Sequence, residues 1–440
     1  MFSMQSLVVA LRSGLRHGSP LLRPLSTLAD LRSPHELQIH EQTKRNEESA
    51  HLTELIRDFL NPSEFYQALR NIDIEFFCGV PDSLLKDFCA FVTHCVPETH
   101  HVIAANEGSA VGLATGYHLA SGRTGLVYLQ NSGLGNTVNP LLSLAAPEVY
   151  SVPMLLLIGW RGEPGKRDEP QHMLQGQVTP GMLNSLGIPF STLPDFIDGA
   201  KVTLDKAKMY MDRHSCPYAL LVKRQTFLPY KLPKTPPQFP MTREQALHGV
   251  LAGLTDRDAV VSTTGMVSRE LFEHRVAHEQ GHERDFLTVG SMGHAASIAL
   301  GIALCKPSRQ VFCLDGDGSV IMHMGTLSTV GQLQPPNLKH VVINNGTHDS
   351  VGGQPTAAAN HDRFSVPRIA LASGYLQSRV ATTEDELEQG MAWLHAARGP
   401  VLLEVKVRSG SRKELGRPTR SPIQNKMDFM NFLALRSYDH

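Results

Sequence analysis

The first 29 residues of this 440-residue chain contain neither Asp nor Glu. Arg12, Arg16 and Arg23 stand there among serines and leucines, with Leu7, Val8, Leu11 and Leu15 on one helical face beside Arg12 and Arg16. Arginines interrupting the apolar stretch argue against a secretory signal. An acid-poor, Arg- and Ser-rich amphipathic start predicts a mitochondrial presequence and disordered lead-in over residues 1–45, hence a matrix location. A disordered tail on a cytoplasmic protein is the other reading. No pair of cysteines has C-x-x-C spacing. Cys78, Cys89, Cys95, Cys216, Cys305 and Cys313 are therefore expected as buried free thiols, not as a zinc site or a disulfide framework. No apolar run is long enough to cross a bilayer; the longest, Val152 to Trp160, suits a buried strand. Bulk charge is lacking too. A formal net charge of −1 gives no long-range attraction for nucleic acid or an anionic membrane, so neither is an expected partner. Any small anionic substrate must be caught by locally placed cations.

With 41% hydrophobic and 19% charged residues, the chain is globular and long enough for two or three domains. Short apolar runs ending in polar breaks alternate with helical stretches. Ile74–Cys78, His101–Ala104, Gly125–Leu129, Val152–Ile158 and Pro217–Val222 read as strands in the first half. Ala259–Val261, Phe286–Thr288, Val311–Leu314, Val341–Ile343 and Val401–Val407 read so in the second. Between the halves, residues 228–241 hold five prolines, a stiff extended linker. The predicted fold is α/β: two doubly wound, mainly parallel-sheet domains over residues 52–227 and 242–410, followed by a tail over 411–440.

The most informative stretch is Arg309 to Thr356, which reads as one βαβ unit with its helix over His323–Gln334. The run ending at Leu314 breaks into Asp315-Gly316-Asp317-Gly318-Ser319, and the run ending at Ile343 breaks into Asn344-Asn345. Both breaks fall at the carboxyl ends of parallel strands, where such sheets bind ligands. A lone Gly-Asp-Gly is usually a turn. Paired with Asn345 and a nearby backbone carbonyl, Asp317 completes an all-oxygen set suited to Mg²⁺.

The paired breaks, followed by Gly346-Thr347-His348-Asp349-Ser350-Val351-Gly352-Gly353-Gln354-Pro355-Thr356, resemble the diphosphate-binding motif of thiamine-diphosphate enzymes. Among these they resemble the phosphonopyruvate decarboxylases most, with the sulfopyruvate decarboxylases as near kin. The resemblance runs from Asn61 to Val407 with the motifs in family order. It implies thiamine diphosphate and Mg²⁺ as cofactors, a pyrimidine-binding first domain, a diphosphate-binding second domain and no middle domain. Asp317, Asn345 and the Thr347 backbone carbonyl would hold the metal, with Gly316, Gly318 and Ser319 around the diphosphate. Glu107, in Ala105-Asn106-Glu107-Gly108, matches the glutamate that protonates the pyrimidine; its plain reading is a helix-start acid. Met292, between Gly290-Ser291 and Gly293, matches the apolar wedge beneath the bent cofactor, or is ordinary core. Thr264 and Gly265 match the pyrimidine-contacting loop, or cap the next helix.

For the substrate, Asp82 is the natural acid for a proton step, or an N-cap, or both. Arg161, Lys166, Arg167 and His172 concentrate cations after a buried strand; a solvated loop is the default reading, a phosphonate clamp the functional one. His348 and Gln354 fall on the opposite side of the same cleft. Val351 stands where some 2-oxo-acid decarboxylases carry a catalytic glutamate, and His100-His101 is not obviously their paired histidine, so the proton relay differs. The reaction implied is non-oxidative decarboxylation of 3-phosphonopyruvate to phosphonoacetaldehyde and CO₂, in phosphonate biosynthesis. The resemblance also implies a homodimer or higher oligomer, with the active site between subunits. Sulfopyruvate decarboxylation, an acetolactate-synthase-like carboligation and a catalytically silent scaffold remain as alternatives.

Overall fold

Met154–Gly159 and Tyr218–Val222 are apolar at nearly every position, a pattern that fits strands covered on both faces of a parallel sheet. Every residue of both is buried. The computed structural model describes residues 59–233, 236–412 and 414–435; the predicted presequence and the domain start near Leu52 lie outside them. Two six-stranded sheets carry the fold, and both belong to one compact unit. The first contains β1 (Phe77–Gly79), β2 (His101–Ile103), β3 (Gly125–Gln130), β4 (Met154–Gly159), β5 (Phe190–Thr192) and β6 (Tyr218–Val222), in the order β2-β1-β3-β4-β6-β5. The second contains β7 (Ala259–Ser262), β8 (Asp285–Leu287), β9 (Val311–Gly316), β10 (Leu338–Asn344), β11 (Gln377–Ala381) and β12 (Val401–Lys406), in the order β11-β12-β10-β9-β7-β8. All their ladders are parallel. Counted within each sheet, both orders are 2-1-3-4-6-5. The chain thus builds one topology twice although its sequence shows no repeat.

In such sheets the ligand crevice opens where the strand order reverses, here between β1 and β3 and between β7 and β9. The loops after those strands carry Asp82, Asn131, Thr263 and Asp317. Each sheet is packed on both faces. Leu126, Tyr128, Leu155 and Leu157 point to one side of the first sheet, and Val127, Leu129, Leu156 and Ile158 to the other. The alternation is the pleat's period of two.

Several elements differ from expectation. β5 and β11 were not anticipated. They are edge strands with much of their surface exposed, so they lack the all-apolar signature. The helix after β1 begins only at Lys86, because the Asp82 carboxylate accepts from the N–H groups of Leu84 (2.8 Å) and Leu85 (3.2 Å) and holds a turn first. The helix expected over His323–Gln334 is present as Thr326–Leu333, and a further short helix, Asp317–Met322, which was not expected, precedes it. Of the cysteines, Cys95 and Cys305 are exposed and the other four buried, all as free thiols. The tail carries a helix, Pro422–Ala434, started by a Ser421–Gln424 capping box, with Phe429 and Phe432 packed against the second sheet's core. The Pro-rich segment is pinned at its start: Leu228 N donates to Leu60 O (2.8 Å) and Tyr230 N to Asp87 Oδ1 (3.0 Å).

Candidate active site

Four loops at the strand ends of the second sheet converge. The Ser319 hydroxyl joins three of them, accepting from Thr263 Oγ1 (2.9 Å) and from Gly293 N (3.0 Å). Thr264 donates its hydroxyl to Val289 O (2.9 Å), which ties the loops after β7 and β8. Gly265 holds φ 94° and ψ −135°, a conformation open essentially to glycine alone. Gly318 is equally constrained by space. A Cβ there would stand 3.1 Å from His348 Cε1 and 3.3 Å from Met292 Cε. Met292, Gly318 and His348 therefore share one small volume beside Asp317.

Asp317 is 3% exposed. Burial pushes its carboxyl up to about 7, against hydrogen bonds from Thr356 and from the N–H groups of Asp317, Asn345 and Gly318. Thr356 Oγ1 donates to Oδ2. These donors are neutral and do not offset the burial, so the ionised carboxylate calls for a cation beside it. Of the two asparagines after β10, Asn344 serves the sheet: it donates to Glu404 Oε1 (2.8 Å) and accepts from Gly346 N (2.9 Å). Asn345 faces the loop. Its Oδ1 accepts from Thr347 N (3.1 Å), and its Nδ2 donates to Asp349 Oδ2 (2.7 Å). Carboxylate and amide oxygens with nearby backbone carbonyls are hard donors that fit Mg²⁺ better than a softer metal. A different group, Cys313, Asp315 and His340, lies wholly inside the second sheet. There His340 Nε2 faces Asp315 at 3.6 Å and Nδ1 meets Tyr375 Oη at 3.0 Å, a buried polar cluster within the sheet.

In the first sheet, Glu107 is the first residue of the helix Glu107–Ser121, whose N-cap is Asn106 (Oδ1 accepting from Ser109 N, 2.9 Å). The Glu107 side chain is not spent on that cap. It is 5% exposed, and Oε2 accepts from Asn136 Nδ2 (2.8 Å). Gly133 makes room for it, because a Cβ at that position would lie 2.2 Å from Glu107 Oε1. Asp82 is fully buried under Gly159 and accepts from Gln130 Nε2 besides the two backbone N–H groups; burial pushes its pKa up. It does cap the turn, and its oxygens are engaged.

Arg161 spreads its fork over Asp168, with Nε to Oδ2 at 2.8 Å and Nη2 to Oδ1, and gives Nη1 to Ser83 Oγ (2.8 Å). Lys166 and Arg167 are exposed. His172 is buried with Nδ1 unpartnered, and burial followed by the Arg161 charge lowers its pKa. Gln354, fully buried, reaches from the second half to Lys86 O (3.2 Å), and Asn106 Nδ2 reaches Met322 O (3.4 Å). The two strand-end rims thus meet. His101, by contrast, sits on edge strand β2 against Tyr128 Oη (2.9 Å), and burial lowers it to about 4. Gly133, Asn136, Thr356 and Asp349 were missed by sequence reasoning. Gly133, Asp349 and Thr356 lie in the polar stretches after apolar strands, and Asn136 on the helix Leu134–Pro140 that follows one, but nothing in the sequence says which of these residues points inward.

Residues 63–184 match the thiamine pyrophosphate enzyme, N-terminal TPP binding domain, and residues 263–405 match the C-terminal TPP binding domain. The chain belongs to the thiamine pyrophosphate enzyme family. Within that family it is 35% identical to the phosphonopyruvate decarboxylase of Streptomyces viridochromogenes, over 85% of this chain and 95% of that one. The phosphonopyruvate decarboxylase of Streptomyces hygroscopicus is 34% identical, covering 85% of this chain and 94% of its own. The sulfopyruvate decarboxylase of Methanosarcina acetivorans is 24% identical over 86% and 99%. Family membership makes thiamine diphosphate the cofactor, with both matched domains binding it.

Proposed function

We propose that this member of the thiamine pyrophosphate enzyme family decarboxylates 3-phosphonopyruvate to phosphonoacetaldehyde and CO₂. The observation that carries this is the match to phosphonopyruvate decarboxylase over nearly that protein's full length; the buried Glu107 and Asp317 at two strand-end rims support it. The bond between the carboxylate and the keto carbon breaks, and a proton takes its place on that carbon. Bound thiamine diphosphate supplies the nucleophilic carbon and the electron sink that let CO₂ leave. Everything else falls to the chain. Asp317, Asn345 and the Thr347 carbonyl hold Mg²⁺ against the diphosphate. Glu107, kept in place by Asn136 and Gly133, holds a proton at the pyrimidine ring nitrogen. Met292 would give the cofactor an apolar support, and Thr264 and Gly265 would line its pyrimidine side. Asp82, buried and with a raised pKa, is the candidate acid of the first-domain rim, where its carboxyl also caps the turn before Lys86. Arg161, Lys166, Arg167 and His172 face the substrate's phosphonate, with His348 and Gln354 opposite.

The active unit is proposed to be a homodimer or larger. Helix Glu107–Ser121 supports this. It leaves Leu113 and Leu119 exposed, and a Cβ at Gly112 or Gly116 would meet nothing, a face suited to close helix packing against a second copy. A matrix location with loss of about the first 30 residues is the accompanying proposal, checked by N-terminal sequencing of protein from mitochondria; a start at Met1 there counts against it. The central test is turnover of phosphonopyruvate, sulfopyruvate and pyruvate measured side by side. Highest kcat/KM on phosphonopyruvate is expected. Highest on sulfopyruvate moves the chain to its more distant relatives' reaction, and cofactor binding without turnover of any of the three overturns the assignment.

A further inference from the structure

Asp349 lies four residues past Asn345, and its carboxylate is saturated. Oδ2 accepts from Asn345 Nδ2 (2.7 Å), Arg243 Nη1 (3.0 Å) and Gly410 N (2.9 Å), and Oδ1 accepts from Thr347 Oγ1 (2.8 Å). Arg243 is 4% exposed and forks onto Glu270, with Nε to Oε2 and Nη2 to Oε1 both at 2.9 Å. The carboxylate is thus locked by a buried ion network. That network reaches the helix Arg243–Ala252, the helix Met266–Ala277 and the segment after β12.

We infer that Asp349 is the positioning residue of the metal loop, setting two of its three ligands at once. A primary amide offers two donors at one end and an acceptor at the other, and its partners decide which end points where. An ionised carboxylate can only accept. Asp349 therefore takes the Nδ2 end of Asn345 and turns Oδ1 back toward the loop, beside Thr347 N. Its second oxygen holds the Thr347 hydroxyl and so fixes the residue whose backbone carbonyl is the third ligand. The Thr347 side chain is then required for placing its own carbonyl, a role the sequence alone did not give it. Partners one step removed from a metal's ligands typically change its affinity about 10–100-fold.

This inference rests on the metal assignment above, and the experiment separates the two. The Mg²⁺ concentration for half-maximal thiamine diphosphate binding is read from quenching of intrinsic fluorescence in the full-length protein. The variants are Asp349→Asn, Thr347→Val and Asn345→Ala. Asp349→Asn should raise the half-saturating Mg²⁺ about 10–100-fold while excess Mg²⁺ restores the full quench. Thr347→Val should raise it less. The double variant should fall short of the product of the two shifts, because both act through one carboxylate. An unchanged Mg²⁺ requirement in Asp349→Asn overturns the inference, as does a lost quench that no Mg²⁺ concentration restores. If Asp349→Asn does not fold, Thr347→Val decides alone, and an unshifted value overturns the proposal. If Asn345→Ala leaves the Mg²⁺ requirement unshifted, the metal assignment itself falls. If it shifts while the other two do not, only the positioning role falls.

Discussion

Gly133 has no room for even a methyl group, and what fills that room is the Glu107 carboxylate. A Cβ 2.2 Å from Oε1 is far inside contact distance, so Gly133→Ala must push the carboxylate from the place Asn136 gives it. Glu107→Gln keeps the shape and loses only the ionisable proton. Both variants should bind Mg²⁺ and thiamine diphosphate with little change and lose most of kcat, Glu107→Gln because ring-nitrogen protonation is gone and Gly133→Ala because it is misplaced. Near-native kcat in Glu107→Gln would leave Glu107 as no more than a helix-start acid. Asp317→Ala acts differently: Mg²⁺-dependent cofactor binding itself should vanish, checked by titrating cofactor with and without Mg²⁺. Glu107, Asp317 and Asn345 could be named from sequence only through the paired strand-end breaks and the family resemblance those breaks carry, since a lone Gly-Asp-Gly or a helix-start acid is by itself a weak signal. Gly133 and Asn136 could not. Their importance lies in touching a residue 26 or more positions away in the chain, and spacing alone does not show contact.

At the scale of the element, the strands with both faces buried were readable, because burial on both faces forces a continuous apolar run. The edge strands were not, since β11 reads Gln-Ser-Arg-Val-Ala and is largely solvent-exposed. β8 is also an edge, and the C-terminal helix covers it. Asn425 accepts from Leu287 N (3.0 Å) and donates to Asp285 O (2.7 Å), both buried. Asn425→Ala should leave a strand N–H and a carbonyl unpaired away from water, at about 1–3 kcal/mol each. A lower melting temperature with unchanged Mg²⁺ dependence of cofactor binding is expected; an unaltered melting temperature would make the helix an ornament on the sheet. The Arg161 loop offers a pH test. Burial raises the Asp168 pKa, but the hydrogen bonds and charge of Arg161 and the Gly162 N–H outweigh it and hold the carboxyl at about 2. A pKa depressed below the unfolded value, about 4, contributes stability that is present above that value and lost as pH falls from about 4 toward 2. Loop protection in hydrogen exchange should therefore hold at pH 5, and in Asp168→Asn it should be lost already at pH 7.

Across the whole molecule, a net charge of −1 leaves nothing to steer a multiply charged anion from a distance. Discrimination between phosphonopyruvate and pyruvate must then come from cations placed within hydrogen-bonding reach, and the fold brings Arg161, Lys166 and Arg167 to the strand-end rim of the first sheet. Arg161 is the best placed and the least available, since its fork already rests on Asp168. That pairing pre-organises the guanidinium and leaves N–H groups for a second anion. His172 differs from the other three. With its pKa lowered by burial and then by Arg161, it is neutral at neutral pH and can offer a hydrogen bond without a charge. Losing one charge-assisted bond to phosphonate should lower kcat/KM by roughly ten- to a hundredfold, or about 1.5–3 kcal/mol. Arg161→Ala and Arg167→Ala should show that loss on phosphonopyruvate with residual pyruvate turnover hardly changed. His172→Ala should show a smaller loss of the same selectivity. Equal losses on both substrates would make the loop a support for the fold or the cofactor. No change on either would put the clamp on the opposite side of the cleft, with His348, which burial holds at about 4, and Gln354.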